Sequence, residues 1–183
     1  MSLPPSEHPE ADEPMSMLWT AGRVATVLGF LVMVAFWAWI FAGGPKKVNP
    51  DRLGDRAFVT RTQERCKQML VDLDKLPPGP SLKDATQRAD VLDQATGVVT
   101  KTIDDIEADA PTSGGDAQSV RGWIKDWRVY LANRADYAKR LRTDPKARLL
   151  LDENKGGDPI DTGIEVFAQV NDMRECATPG DVG

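Results

Sequence analysis

The sequence holds few of the residues from which catalytic and metal sites are usually built. Its 183 residues include a single histidine, His8, and two cysteines. His8 lies in a polar N-terminal tail, so a histidine-dependent triad or a histidine metal site is not expected in any folded part. Two cysteines are too few for an iron–sulfur cluster or a structural zinc site. Serine-hydrolase, Walker and dinucleotide-binding motifs are also missing, and we therefore expect no catalytic residues, no cofactor and no metal.

An excess of basic residues is missing as well. The chain has 23 Lys and Arg against 28 Asp and Glu, a formal net charge of −5, and its isoelectric point is near 5.0. Proteins that bind nucleic acid usually present a broad basic surface, so we expect no nucleic-acid partner. The length allows one modest domain together with an anchor or a tail.

One long hydrophobic run is present. The stretch from Val24 to Ala42 carries no charge and no proline. As a helix, a run of this length covers about 28 Å, close to the ~30 Å hydrocarbon core of a bilayer. Trp19, before the run, and Trp37 and Trp39, near its end, suit the two membrane interfaces. The run exceeds the hydrophobic part of a signal peptide, about 7–15 residues, and this predicts a retained helix that spans the lipid bilayer.

The predicted organisation has four parts. They are a disordered acidic tail (1–17), a transmembrane helix (18–44), a linker (45–55) and a helical bundle domain (56–183). The tail is rich in proline and glutamate and has little apolar surface to bury, which is typical of a disordered segment.

Hydrophobic periodicity predicts three helices in the domain. Apolar residues recur at steps of three and four in three stretches, which end at Pro77, before Pro111 and at Pro145. Three amphipathic helices joined by short turns favour an antiparallel bundle, in a mainly α fold. Around Gly156 and Gly157, a small hairpin, an irregular segment and a helical leucine triplet are open alternatives, and a short helix follows.

Four aromatic residues of the third helix lie on one side of it, at steps of four, three and seven: Trp123, Trp127, Tyr130 and Tyr137. Such a stripe is either the core of the bundle or a surface platform for a ligand such as a polysaccharide. The core interpretation is favoured, because aliphatic residues of the same helix interleave with the four.

Charged residues form three clusters. The basic flank of the third helix, a solvated face or a site for lipid headgroups or an acidic partner, comprises Arg128, Arg134, Lys139, Arg140 and Arg142. The acidic clusters comprise Asp104, Asp105, Glu107 and Asp109, and then Asp152, Glu153, Asp158 and Asp161. Oxygen ligands of this kind suit calcium, but the spacing of a calcium loop is missing, which favours solvated carboxylates.

Two signals disagree about the side of the membrane on which the domain lies. Four basic residues follow the hydrophobic run, at Lys46, Lys47, Arg52 and Arg56, and by the positive-inside rule they would keep the domain in the cytoplasm. Cys66 and Cys176, near the two ends of the domain, fit a disulfide in an oxidising compartment, but two reduced buried cysteines are equally acceptable inside a cell. The residues alone leave the orientation open.

Three stretches of the chain resemble a known group of proteins. They are NPDRLGDRAFVTRTQERC (49–66), RGWIKDWRVYLANRADYAKRL (121–141) and FAQVNDMRECATPGDV (167–182). They resemble uncharacterised actinobacterial membrane proteins with a short acidic cytoplasmic tail, one span and a small extracytoplasmic helical domain. The resemblance implies an extracytoplasmic Cys66–Cys176 pair, against the positive-inside count, and it implies no activity.

Two functions of different class are compatible with these observations. The first is a membrane-anchored, non-enzymatic interaction or scaffolding module of the cell envelope, whose partner is an unknown membrane or envelope protein. The alternative is a small envelope ligand-binding domain or a carboxylate-dependent enzyme. The lack of any nucleophile with a paired base favours the first. A deep pocket lined by Trp123 and Trp127 would favour the alternative.

Overall fold

A computed structural model describes residues 21–42, 44, 49 and 51–180. The predicted disordered tail, 1–17, and Trp19 lie outside the described residues. The chain divides into two compact units, Met1–Lys47 and Val48–Gly183. In the described residues both units are helical, and the single β-bridge joins Glu153 and Pro159.

The described part of the first unit is one helix, α1, over Ala21–Phe41. Its most apolar 18-residue window has a mean hydropathy of 2.3, and none of the 21 residues of the helix is buried. Trp37 stacks on Phe41, with 5.9 Å between ring centroids, so aromatic side chains gather at the C-terminal end of the helix. The helix is long and apolar enough to cross a membrane, as the hydrophobic run predicts.

The second unit is a bundle of four helices. They are α2 (Arg56–Leu73), α3 (Ala85–Ala108), α4 (Gly114–Thr143) and α5 (Ile160–Val170), with short 3-10 turns at Gly79–Ser81 and Arg174–Cys176. The prediction of a mainly α fold, with one apolar N-terminal helix followed by a bundle, is confirmed.

Ion pairs fix the antiparallel arrangement of α3 and α4. Arg142, near the end of α4, binds Asp90 and Asp93 in the first turns of α3. Arg128, one half-helix earlier, binds Asp104, near the end of α3. From Arg128 to Arg142 along α4, the partners on α3 run backwards, from Asp104 to Asp90, so the two helices are antiparallel. A short loop is enough to join such neighbours.

The helix ends follow from local chemistry. Asp55 caps α2, since its side chain accepts a hydrogen bond from the Phe58 N–H at 2.9 Å. Asp84 caps α3 in the same way, through the Gln87 N–H at 2.9 Å. Carboxylates at these positions satisfy an N–H group that the helix itself leaves without a partner. Helix α4 ends at Thr143, because Pro145 disfavours helical geometry at Asp144.

The aromatic stripe lies in the core. Trp127 is fully buried, and Trp123, Tyr130 and Tyr137 are each 2% exposed. The first three belong to the main core cluster, and Tyr137 belongs to a second, smaller cluster between α3 and the end of α4. Helix α4 reaches both clusters, because its 30 residues span about 45 Å at 1.5 Å of rise per residue.

The residues before α2 are part of the folded unit. Leu53 is 2% exposed, and its N–H donates to the side-chain oxygen of Asn171 at 2.8 Å. Arg52 and Arg56 both bind the carboxylate of Asp172, at 3.0 and 2.9 Å. Residues 51–55, predicted as the end of a linker, therefore pack against the C-terminal part of the bundle.

The segment before α5 forms a tight turn. The Asn154 N–H donates to the Asp158 carbonyl at 2.7 Å, and Gly157 has a φ of 85°, which a residue with a side chain adopts only at a cost. Of the three alternatives that the sequence leaves open here, the structure shows an irregular segment, which reverses direction around Gly156 and Gly157. It is limited to one bridge and is not a paired hairpin.

Cys66 and Cys176 join the two ends of the bundle. Their sulfur atoms are 2.03 Å apart, the length of a disulfide bond, and both residues are fully buried. The bond links α2 to the last 3-10 turn across 110 positions of sequence. A crosslink that closes so long a loop removes entropy from the unfolded chain, about 4–5 kcal/mol in the chain-entropy model.

The buried position of Trp127 leads to a test of stability. We expect Trp127→Ala to lower the free energy of unfolding of residues 48–183 by roughly 3–5 kcal/mol, the usual loss for a buried large aromatic. Trp127→Phe should cost less, since the indole N–H has no hydrogen-bond partner among the described residues. Urea unfolding followed by circular dichroism measures both.

Lys139→Ala, at an exposed position of the same helix, is the control and should stay within about 0.5 kcal/mol of the parent. If Trp127→Ala unfolded at the same urea concentration as the Lys139 variant, Trp127 would not be a core residue.

Candidate binding groove

The basic flank predicted on α4 is engaged within the protein. Arg140 binds Asp136 at 2.7 Å, one turn away. Arg128 and Arg142 form the ion pairs with α3 described above. Three of the five basic residues of the flank are thus paired in the fold, and these three do not form a free basic surface.

Arg134, predicted as part of that flank, is fully buried. Its guanidinium donates to the hydroxyls of Thr96 and Tyr130, both at 3.3 Å. The Tyr130 hydroxyl in turn donates to the Pro179 carbonyl at 2.7 Å. Arg134 therefore connects α3, α4 and the C-terminal segment from inside the core, a structural role that its charge alone did not indicate.

The acidic cluster at the end of α3 is also engaged. Asp105 binds Lys101 at 2.7 Å, and Asp109 binds both Arg61 and Arg65 at 2.8 Å. The hydrogen bonds from Arg61 and Arg65 lower the pKa of Asp109. Among the described residues, no group of three or more His, Cys, Asp or Glu is placed to hold a metal ion. Asp109 thus ties the end of α3 to α2, whereas the Asp105 pair lies within α3 itself.

A groove lies between α4 and the segment that runs from the 152–160 turn into α5. It consists of two cavities, of about 520 and 770 Å³. Both are lined by Gly122 and Asp126 of α4 and by Asn154 and Asp158 of the turn. Because they share these four residues, the two cavities form one groove.

Two glycines keep this groove open. A Cβ atom at Gly122 would have no heavy atom within 4 Å, and one at Gly163 would lie 3.6 Å from Asp126 Oδ2 and 3.8 Å from Asn154 Nδ2. Glycine inside a helix costs about 0.5–1 kcal/mol relative to alanine. Gly122 thus lowers the helix propensity of α4, and it presents no side chain to the groove that it lines.

Asn154 presents a hydrogen-bond donor to the groove. Its side-chain oxygen accepts from the Gly156 and Asp158 N–H groups, at 2.7 and 3.2 Å. This orients the amide nitrogen toward Gly163, where it has no acceptor among the described residues. The turn itself is anchored to α4, since Asn133 and Asp152 exchange two hydrogen bonds at 2.9 and 3.1 Å. The donor is therefore held on a rigid support.

Asp126 presents an acceptor to the same groove. Its side chain is partly buried, and burial raises the pKa of its carboxyl group, while nearby Lys125 acts weakly in the opposite direction. No hydrogen bond to its carboxylate is formed by the described residues. Partial burial of a carboxylate that accepts no hydrogen bond from the described residues disfavours its charged form, and carboxylates with raised pKa values are frequent at functional sites.

The walls of the groove differ in character. Carboxylates line the polar wall at five positions, Asp51, Asp126, Asp152, Glu153 and Asp158, against two lysines, Lys125 and Lys155. The apolar wall is formed by Val166, which is 52% exposed, and by Phe167, whose ring stacks on Trp123 with 5.2 Å between centroids. The Trp123 indole N–H also donates to the Ile164 carbonyl at 3.2 Å, which holds α5 against α4.

Only part of this groove was identified from the sequence. The second predicted acidic cluster supplies Asp152, Glu153 and Asp158, whereas Asp161 accepts a hydrogen bond from the adjacent Thr162 N–H. The stripe supplies one residue, Trp123, and Trp127 is not among the residues that line the groove.

Sequence reasoning missed the central residues, which are Gly122, Asp126, Asn154 and Gly163. One available signal was Gly122, an isolated glycine within a strongly helical pattern, because such a residue often has a functional reason.

Comparisons with known proteins provide no assignment for the groove. No family model, no curated protein and no solved structure matches the chain. The function has therefore to be argued from the geometry.

The unfavourable position of the Asp126 carboxylate leads to a test. A carboxyl group whose pKa is raised by folding makes the protein less stable as the pH rises from the pKa of the unfolded chain, about 3.9, through the folded value. We therefore expect Asp126→Asn to be at least as stable as the parent at pH 7 and to lose this part of the pH dependence. Urea unfolding at pH 4 and pH 7 measures both effects.

Asp136→Asn is the matched control on the same helix. It removes the pair with Arg140, so it should lower stability slightly, by about 0.3–0.5 kcal/mol. A larger loss in Asp126→Asn than in the control would mean that Asp126 has a stabilising partner.

Proposed function

We propose that this protein is a membrane-anchored, non-enzymatic interaction module of the cell envelope, which binds a partner protein in the groove between α4 and α5. The observation that carries the proposal is the pair of groups at Asp126 and Asn154. An acceptor and a donor, both without partners among the described residues, face one open space on a rigid scaffold. Such preorganised polar groups are typical of binding sites.

The anchor is α1, which holds the bundle at the lipid bilayer. The bundle lies outside the cytoplasm, as in the proteins that the sequence resembles. The Cys66–Cys176 bond supports this orientation, because disulfide bonds persist in oxidising compartments and are rare in the cytosol. The basic residues that follow the hydrophobic run argue for the opposite side, so the orientation needs a direct test.

An interaction module is favoured over a ligand-binding platform of aromatic residues. The four residues of the stripe are buried in the core, and of these four only Trp123 also borders the groove. The groove offers hydrogen bonds and negative charge over a wide, partly apolar surface, which suits recognition of a protein segment.

The orientation of the bundle is tested by labelling in spheroplasts of cells that express the full chain. We expect protease added outside to digest the bundle, and a membrane-impermeant maleimide to label Cys66 and Cys176 only after reduction and unfolding. A cytoplasmic enzyme serves as the control for intact membranes. Protection of the bundle together with that control, and labelling of both cysteines without reductant once the cells are lysed and the protein is unfolded, would place the bundle in the cytoplasm.

Binding in the groove is tested by site-specific photocrosslinking in intact cells. A photoreactive amino acid replaces Val166, on the apolar wall, or Val71, on α2 and not among the residues that line the groove; the two side chains are 52% and 51% exposed. We expect a crosslinked species of defined mass from position 166 alone, and its loss when Gly122→Leu fills the groove. Equal crosslinking from both positions, or none from position 166, would contradict the proposal.

A further inference from the structure

We infer that the groove receives a basic segment of the partner protein, with one lysine or arginine side chain seated beside Asp126. The inference rests on the proposed function and adds the chemistry of the partner.

Charge complementarity selects a cationic occupant. The five carboxylates and two lysines of the lining give the groove a net negative charge, in a chain whose net charge is also negative. Negative surfaces of this kind attract basic partners over long range and repel acidic ones. A cation beside Asp126 would also supply the partner that this partly buried carboxylate lacks.

The donor at Asn154 selects a peptide over a bare cation. An amide N–H group near the carboxylate disfavours a metal ion, since it offers hydrogen where the ion needs oxygen. A segment of polypeptide satisfies both groups: its ammonium or guanidinium meets Asp126, and one of its backbone carbonyls accepts from Asn154 Nδ2. The Asx turn at Asn154 fixes this donor before binding.

The dimensions and the apolar wall agree with a peptide. The two cavities together exceed the volume of a single side chain and continue along the 152–160 turn. The long methylene chain of lysine or arginine packs well on apolar surface while its charge stays at a polar group. Val166 and Phe167 provide that surface next to the carboxylates.

The inference is tested with the full chain in nanodiscs of zwitterionic phosphatidylcholine, a lipid to which a basic probe binds weakly. The probe is a fluorescent hexapeptide, Ser-Gly-Arg-Gly-Lys-Gly, with blocked ends. Its neutral counterpart carries citrulline and norleucine in place of the two basic residues. Fluorescence anisotropy gives the affinity of each, and we expect only the basic peptide to bind, more weakly as salt is added.

Two pairs of variants assign the binding to the groove. Asp126→Asn removes one charge there, and Asp136→Asn removes one from an exposed position of the same helix. Gly122→Leu fills the groove without a change in charge, and Gly97→Leu is its control on α3, at an exposed glycine where an added Cβ atom would have no heavy atom within 4 Å. We expect the first member of each pair to weaken binding about tenfold, or ~1.4 kcal/mol, and the second less than twofold.

Each contrary outcome is informative. Equal affinity in all four variants, equal binding of the neutral peptide, or equally tight binding of free arginine amide would overturn the inference. If photocrosslinking at Val166 succeeds while the basic peptide fails to bind, the groove is an interaction site for a partner of different chemistry and the proposed function survives. If both fail, the proposed function fails as well.

Discussion

The Trp123 side chain sets the separation of α4 and α5, and both the core and the groove depend on it. Its ring stacks on Phe167, and its N–H donates to the Ile164 carbonyl. Because the acceptor is a backbone carbonyl within α5, this hydrogen bond fixes the position of α5 along α4 as well as the distance between the two helices. Trp123 and Phe167 thus belong to the hydrophobic core and also line the groove, so the packing that forms the core also forms the groove.

The C-terminal end of α5 is held by hydrogen bonds of Asn171 and by the disulfide that follows. Asn171, fully buried, accepts a hydrogen bond from the Leu53 N–H and donates to the Asp51 carbonyl, so the chain before α2 and the chain after α5 support each other. The Cys66–Cys176 bond then joins α2 to the residues that follow. A short helix of 11 residues would be marginal alone, and these contacts from both sides keep it in place.

Periodicity predicted the helices because each buries one apolar face, and the same argument places Trp127 and Tyr137 inside. The groove was not predictable in this way. It is lined by residues of two different helices, such as Gly122 and Gly163, and the packing of those helices depends on pairs such as Trp123 and Ile164 that are 41 positions apart. Arg134 was misjudged for a related reason: charge predicts exposure, unless the fold provides polar partners such as Thr96 inside it.

The groove combines two local features that oppose stability. Most caps, ion pairs and apolar faces agree with the helices that they stabilise, although the buried Trp127 indole N–H and Arg134 Nη2 also have no partner among the described residues. At the groove, Gly122 lowers the helix propensity of α4, and the partly buried Asp126 carboxylate accepts no hydrogen bond from the described residues. In a folded protein such conflicts are expected at functional sites, because the rest of the structure supplies the stability that they lose. A groove already formed by packed helices also requires little ordering when a partner arrives. Little of the free energy of binding is then lost to ordering the groove. The Asp126 carboxylate gains a partner when the segment binds, so its lack of one in the free protein favours binding.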